Sequence, residues 1–363
     1  MNRYAMRGVW LSLAGLAGVG LLAQDARAYD ANQHVLVADK ALQLYDPFQG
    51  TEAWSYRVPI YAGAADEDSI DHVYGYWDPF GQGVTRTHFW DADNGVLDQV
   101  TLAGLLGSNE NAFRKVTGVG PFGSGVGLWQ QAVAYYQLGD KVTAYERLGH
   151  ICHLIADMSV PAHTHEDAHN PDHYEYTMNQ YMALTLPLLD KEQMKQGPLP
   201  IPQAIPAEVQ WLGDMFPLFY LMYTTNQRAD FFASAPPGDP LAGYAGDAVT
   251  YTPWLDYTTW ETQMAYYMDP AHVDTNLFYC GTCGALGSTG GTAWACTGCG
   301  IWMTEVDPSI IIATRYTLVH GVRATAGLLD YWNQTVVPEP ATMVLLAAGT
   351  LALMRLRRVA RRG

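Results

Sequence analysis

The sequence predicts an all-α protein, on three observations. Apolar residues recur at helical spacing in several windows, helix-starting and helix-ending residues punctuate those windows, and no alternating strand pattern is sustained anywhere. The chain has 363 residues, 49% hydrophobic and 12% aromatic, which supplies enough apolar surface for a core and excludes disorder. In chain order, His34, Val37, Ala38, Ala41 and Leu42 share one face of a first helix. Residues 125–138 form a second, ended by Gly139, after which Asp140 caps a third over about 141–158. Tyr174 to Leu189 and Glu208 to Tyr223 are further helices, the latter interrupted at Pro217, and Pro308 opens a last one over Ser309 to Trp332. Segments 63–94, 159–173 and 231–305 are rich in Gly, Pro, Asp and Thr and read as loops; there is no internal repeat.

Both ends carry targeting features. Arg3 and Arg7, the apolar stretch Gly8 to Ala23 and the small-residue site Ala26-Arg27-Ala28 read as a secretory signal over 1–28, cut by signal peptidase to leave Tyr29 first. At the other end, Val337-Pro338-Glu339-Pro340 precedes the apolar run Ala341 to Met354 and then Arg355-Leu356-Arg357-Arg358. As a helix, those fourteen residues would rise about 21 Å, marginal for a bilayer core of ~30 Å. The segment 337–363 resembles the PEP-CTERM sorting signal of Gram-negative bacteria. That resemblance implies processing by an exosortase, transient anchoring in the inner membrane, and a destination in the periplasm, at the cell surface or in the extracellular matrix.

The formal charge is −16; setting aside the +2 of residues 1–28 and the +5 of residues 341–363 leaves −23 for the part between. Such a body repels polyanions, so no stable nucleic-acid complex is expected.

Six histidines crowd residues 146–176: His150, His153, His163, His165, His169 and His173. His153 and Asp157 stand four apart on an apolar helix, so both leave one face; Pro161 ends that helix and His163 follows. Imidazole and carboxylate at this spacing suit zinc, which takes N and O ligands without a thiolate. The run His153-x₃-Asp157-x-Ser159-Val160-Pro161-x-His163 resembles the central motif of the bacterial zinc-dependent phospholipase C family, which shares its fold with single-strand-specific nucleases. His88-Phe89-Trp90-Asp91-Ala92-Asp93 is similar to that family's His-Phe-Trp/Tyr-Asp-Pro-Asp segment. Tyr29-Asp30-Ala31-Asn32-Gln33-His34 is similar to the nucleases' aromatic first residue followed five later by His. Arg323 to Trp332 resembles the family's C-terminal helix. The resemblance implies a multi-helical phospholipase C/nuclease-type domain over 29–336, with 190–305 largely a loop-rich insertion.

It also implies three zinc ions. Asp66, His88, His153 and Asp157 would hold one, Asp68 being a rival for Asp66. His163, His169 and Glu175 would hold a second, with His169 and His173 as the other pairing. Tyr29, through its freed amine and carbonyl, would hold the third with His34 and a bridging Asp157. Asp66 would double as general base. Clustered divalent cations about 3.5–6 Å apart suit attack of an activated water on a phosphodiester. A phospholipid is the expected substrate, giving diacylglycerol and a phosphorylated head group. The alternatives are a single-strand nuclease of the same fold and a non-catalytic, metal-stabilised surface protein.

Cys280-x₂-Cys283-x₁₂-Cys296-x₂-Cys299 lies in a stretch with seven glycines over 281–300. The spacing fits a fourth, structural zinc or, in an exported protein, two disulfides. Cys152 reads as a small buried residue.

Overall fold

A computed structural model describes residues 31–67, 88–94, 111–118, 126–165, 196–234, 277–279, 286–288, 304–305 and 308–337. These residues are mostly helical. The helices are α1 (Ala31–Tyr45), α2 (Glu52–Ser55), α3 (Arg57–Asp66), α4 (Ala112–Thr117), α5 (Leu128–Gln137), α6 (Lys141–Asp157), α7 (Pro161–Thr164), α8 (Phe216–Asp230) and α9 (Pro308–Thr335), with 3₁₀ segments at Ala92–Asn94 and Ala207–Met215. Three short strands depart from the loop expected over 231–305: β1 (Leu277–Tyr279), β2 (Leu286–Ser288) and β3 (Thr304–Glu305) form an antiparallel sheet in the order β2-β1-β3. Strands of two and three residues are too short to carry an alternation that a sequence reading registers.

The expected first helix is α1, and its predicted face, His34 with Val37, Ala38, Ala41 and Leu42, is buried. The α5–α6 hairpin forms as read. Gly139 takes the positive φ of 85° that ends α5, and Asp140 accepts the Thr143 amide at 3.2 Å to start α6. The break expected at Pro217 lies instead at Gly213, where φ is 50° and ψ −126°; Pro217 sits in the first turn of α8, where its missing amide is not needed. α8 then runs seven residues past Tyr223, to Asp230. Within the expected loops, α3 runs on to Asp66 and Pro161 opens the short helix α7. The helix read over Tyr174–Leu189 lies outside the described residues.

Helix directions position everything that follows. His34, near the start of α1, stacks on His153 near the end of α6 at a centroid distance of 3.4 Å, so the two helices run in opposite senses. Gly321 of α9 lies beside Ser159, just past α6, whereas Trp332 packs 5.7 Å from the Tyr145 ring near the start of α6. α9 is therefore antiparallel to α6 and parallel to α1. The core is aromatic at both ends of this frame: Trp90, Phe113, Phe219 and Tyr223 at one, and Trp129, Tyr136, Tyr145 and Trp332 at the other. α3 lies unusually close to α6. A methyl group on Gly63 would fall 1.9 Å from the Glu146 carbonyl oxygen, and one on Gly149 would fall 2.2 Å from that of Ile60.

Candidate metal centre

Three segments far apart in sequence bring His34, His88, His153, Asp157 and His163 together, every one of them buried. α1 supplies His34, the chain just before the 3₁₀ turn Ala92–Asn94 supplies His88, and α6 with α7 supplies the other three. His153 and Asp157 leave the same face of α6, with Nε2 and Oδ2 3.3 Å apart. Asp157 Oδ2 is also 2.7 Å from His88 Nδ1, and its Oδ1 is 3.6 Å from His34 Nε2. Ligand atoms of His34, His153 and Asp157 lie within 4.8 Å of one another, a spacing that one cation can bridge.

Two of the imidazoles have their tautomer set by the backbone. His153 Nδ1–H donates to the Ala64 carbonyl at 2.8 Å, which leaves Nε2 with its lone pair toward the cluster. His163 Nδ1–H donates likewise to the His88 carbonyl at 3.1 Å. A ring nitrogen tied to a carbonyl, with the other turned inward, is how ligating histidines are held. Burial, reinforced by His153, pushes His34 well below its ordinary pKa despite Asp157, and so favours the neutral, ligating form. Burial would raise the Asp157 carboxyl, but His153 and His88 beside it outweigh that and hold it well below the usual carboxylate range.

The segment carrying His88 is anchored along its length. Trp90 N–H donates to the His163 carbonyl at 3.1 Å, and Ala112 N–H to the Phe89 carbonyl at 3.1 Å. From α8, Asn226 donates to the Trp90 carbonyl at 2.5 Å and Gln227 to Asp93 Oδ1 at 2.8 Å. The Phe89 ring stacks on His163 at 4.5 Å.

Asp66, expected as ligand and base, is exposed at the end of α3, and no hydrogen bond or ion pair joins it to the histidines among the described residues. The carboxylate that turns inward on this segment is its neighbour Glu67, wholly buried, with Oε1 4.0 Å from His88 Nε2. Glu67 forms ion pairs with Lys115 and, at 2.6 Å, with His150 Nδ1. Arg147 donates to His150 Nε2 at 3.1 Å, so His150 presents an Nδ1–H to Glu67. Burial alone would raise the Glu67 carboxyl; Lys115, and then His150, outweigh it and hold it well below the usual range. Sequence reasoning passed over Lys115, a lone lysine on a short helix, and read His150 outside the ligand set; in the structure His150 pairs with Glu67. His165 lies against Asp230 at 3.1 Å and the Phe232 carbonyl at 2.8 Å.

Tyr29, Asp68, His169, His173, Glu175 and the four cysteines Cys280, Cys283, Cys296 and Cys299 lie outside the described residues. Cys152 is buried and free, and burial raises its thiol to about 12, so it is inert at neutral pH.

Residues 336–358 match the family described as PEP-CTERM protein-sorting motif. That motif marks an exported protein and implies processing by an exosortase. No curated protein and no solved structure matches the chain. Among the described residues, no helix is long and apolar enough to cross a membrane.

Proposed function

We propose that the protein is an exported, zinc-dependent phosphodiester hydrolase that cleaves phospholipid head groups in the manner of a phospholipase C. The observation that carries this reading is the gathering of His34, His88, His153, Asp157 and His163 into one buried cluster from three separate segments. The donor set fits zinc: imidazole nitrogens and a carboxylate, with no thiolate. Asp157 Oδ1 accepts no hydrogen bond among the described residues, a costly state for a buried carboxylate oxygen unless a cation answers it. The reading extends to three zinc ions, with Tyr29, His169 and Glu175 completing the ligands.

Zinc held there supplies a Lewis acid for the phosphate oxygens and lowers the pKa of water. The chain does the rest. The Ala64 and His88 carbonyls orient His153 and His163, and the anchors on residues 89–93 keep His88 in place. Asp66, expected as the base, is exposed and contacts none of the histidines among the described residues, so the proton of the attacking water passes to the leaving glycerol oxygen. The water oxygen bonds to phosphorus, the bond from phosphorus to the glycerol oxygen breaks, and that oxygen leaves with a proton. The products are diacylglycerol and a phosphorylated head group.

The test uses the mature chain beginning at Tyr29, assayed with zinc on phospholipid vesicles and on single-stranded DNA. Phospholipid hydrolysis is expected, and His153→Ala or Asp157→Ala should each lower turnover by more than about 100-fold, beyond the loss that partners of metal ligands carry. Unchanged turnover in both variants overturns the reading. Cleavage of DNA alone moves the substrate to nucleic acid. One tightly held zinc with no hydrolysis of either substrate makes the protein a metal-stabilised surface component.

A further inference from the structure

The sorting motif follows the folded helices with almost no spacer. Val336 and Val337 pack against the core, and Val336 N–H donates to the Trp332 carbonyl at 2.9 Å, capping α9. Only Pro338, Glu339 and Pro340 separate Val337 from the apolar run that begins at Ala341. Four residue steps span at most about 14 Å. A domain whose apolar tail is in a bilayer is therefore held against that bilayer by the end where α9 finishes.

The helix directions say which end this is. α9 reaches Trp332 beside Tyr145, near the start of α6, while the metal cluster surrounds Asp157 at the other end of α6. Tyr145 and Asp157 are twelve residues apart, or about 18 Å along the helix. The turn after α1 and the turn between α5 and α6 lie at the same end as Trp332, joined by the Glu52–Lys141 ion pair at 2.8 Å and by stacking of Tyr56 on Tyr145. These turns display apolar side chains with no cover. Phe48 is 94% exposed, Leu138 81% and Val142 56%. The acidic groups around them are engaged within the fold: Asp46 accepts the Thr51 amide, Asp140 the Thr143 amide, and Glu52 pairs with Lys141.

We propose that, while its tail is attached, the protein rests on the bilayer by this end, with Phe48, Leu138 and Val142 set among the lipid head groups and the metal cluster turned away. The contact is apolar and tail-dependent, because a body carrying −23 is repelled by an anionic lipid surface once the tail is cut. The cluster then gains access to surfaces it could not face while tethered. The proposal rests on the sorting motif and the helix directions, and stands whether or not the cluster is catalytic.

The experiment is lipid photocrosslinking with the chain from Tyr29 to Gly363 bound to vesicles of phosphatidylethanolamine and phosphatidylglycerol. A benzophenone amino acid replaces Phe48, Leu138 or, as the control, Asp66, an exposed residue at the end of α3 beside the metal cluster, next to Glu67 and two residues beyond Ala64. All three sites are exposed, so the replacements leave the core intact. Lipid adducts at 48 and 138 should exceed those at 66 by about ten-fold, as insertion of an apolar face into the head-group layer predicts. Equal labelling at the three sites, stronger labelling at 66, no adduct from vesicle-bound protein, or failure of the full chain to float with the vesicles each overturns the proposal.

Discussion

Glu67 and Lys115 show how much of the site depends on single side chains. Both are buried and pair with each other, so removing one takes from the other its ion-pair partner in a low-dielectric interior. Lys115→Met should cost about 3–5 kcal/mol, and Glu67→Gln added to it should restore much of that loss. Urea unfolding of the two variants measures this, and a single variant as stable as the parent would show that the pair carries no stability. The same pair explains a difference from the sequence reading. Successive residues on a helix point about 100° apart, so of Asp66 and Glu67 only one can face the cluster, and neither composition nor spacing says which.

Among the elements, the contact of α3 with α6 is the one that admits least change. Gly63 and Gly149 let the two backbones approach until a carbonyl oxygen stands where a Cβ would be. Gly149→Ala should therefore separate the helices and destabilise the protein by at least the 1–3 kcal/mol typical of overpacking, read as a lowered urea midpoint. Because Ala64 on α3 holds the His153 ring, the variant should also bind zinc more weakly. Wild-type stability in this variant would mean that the helices lie farther apart. α8 teaches a complementary lesson. Beyond Tyr223 its residues Thr224 to Arg228 are polar, which reads as the end of a core helix, yet they are buried. Asn226 and Gln227 reach across to the Trp90 carbonyl and Asp93, a use of polar groups that only a distant segment makes favourable.

At the scale of the whole molecule, the cluster ties together elements that are otherwise linked by long connections. A cation bound to His34, His153 and Asp157 would join α1 to α6 and so stabilise the native state by mass action. Zinc at a hundred times its Kd is worth about 2.7 kcal/mol, and its removal by a chelator should lower Tm by about 4 °C for a chain of this size. Thermal unfolding with and without chelator tests this; an unchanged Tm would mean that the cluster holds no stabilising cation. His34→Ala should weaken the chelator effect, because His34 is the member of that group contributed by α1.

What could be read along the chain was whatever one segment decides by itself. The helical class, the α5–α6 turn at Gly139 and Asp140, the buried face of α1 and the sorting motif all follow from local periodicity, capping and composition. So did the pairing of His153 with Asp157, since four residues on a helix place them together. Folding alone decided that Glu67 rather than Asp66 turns inward, that Lys115 and His150 answer it, and that the polar half of α8 grips the His88 segment. Those outcomes depend on which groups meet once distant segments pack. A buried charge or amide is stable only beside a partner tens of residues away.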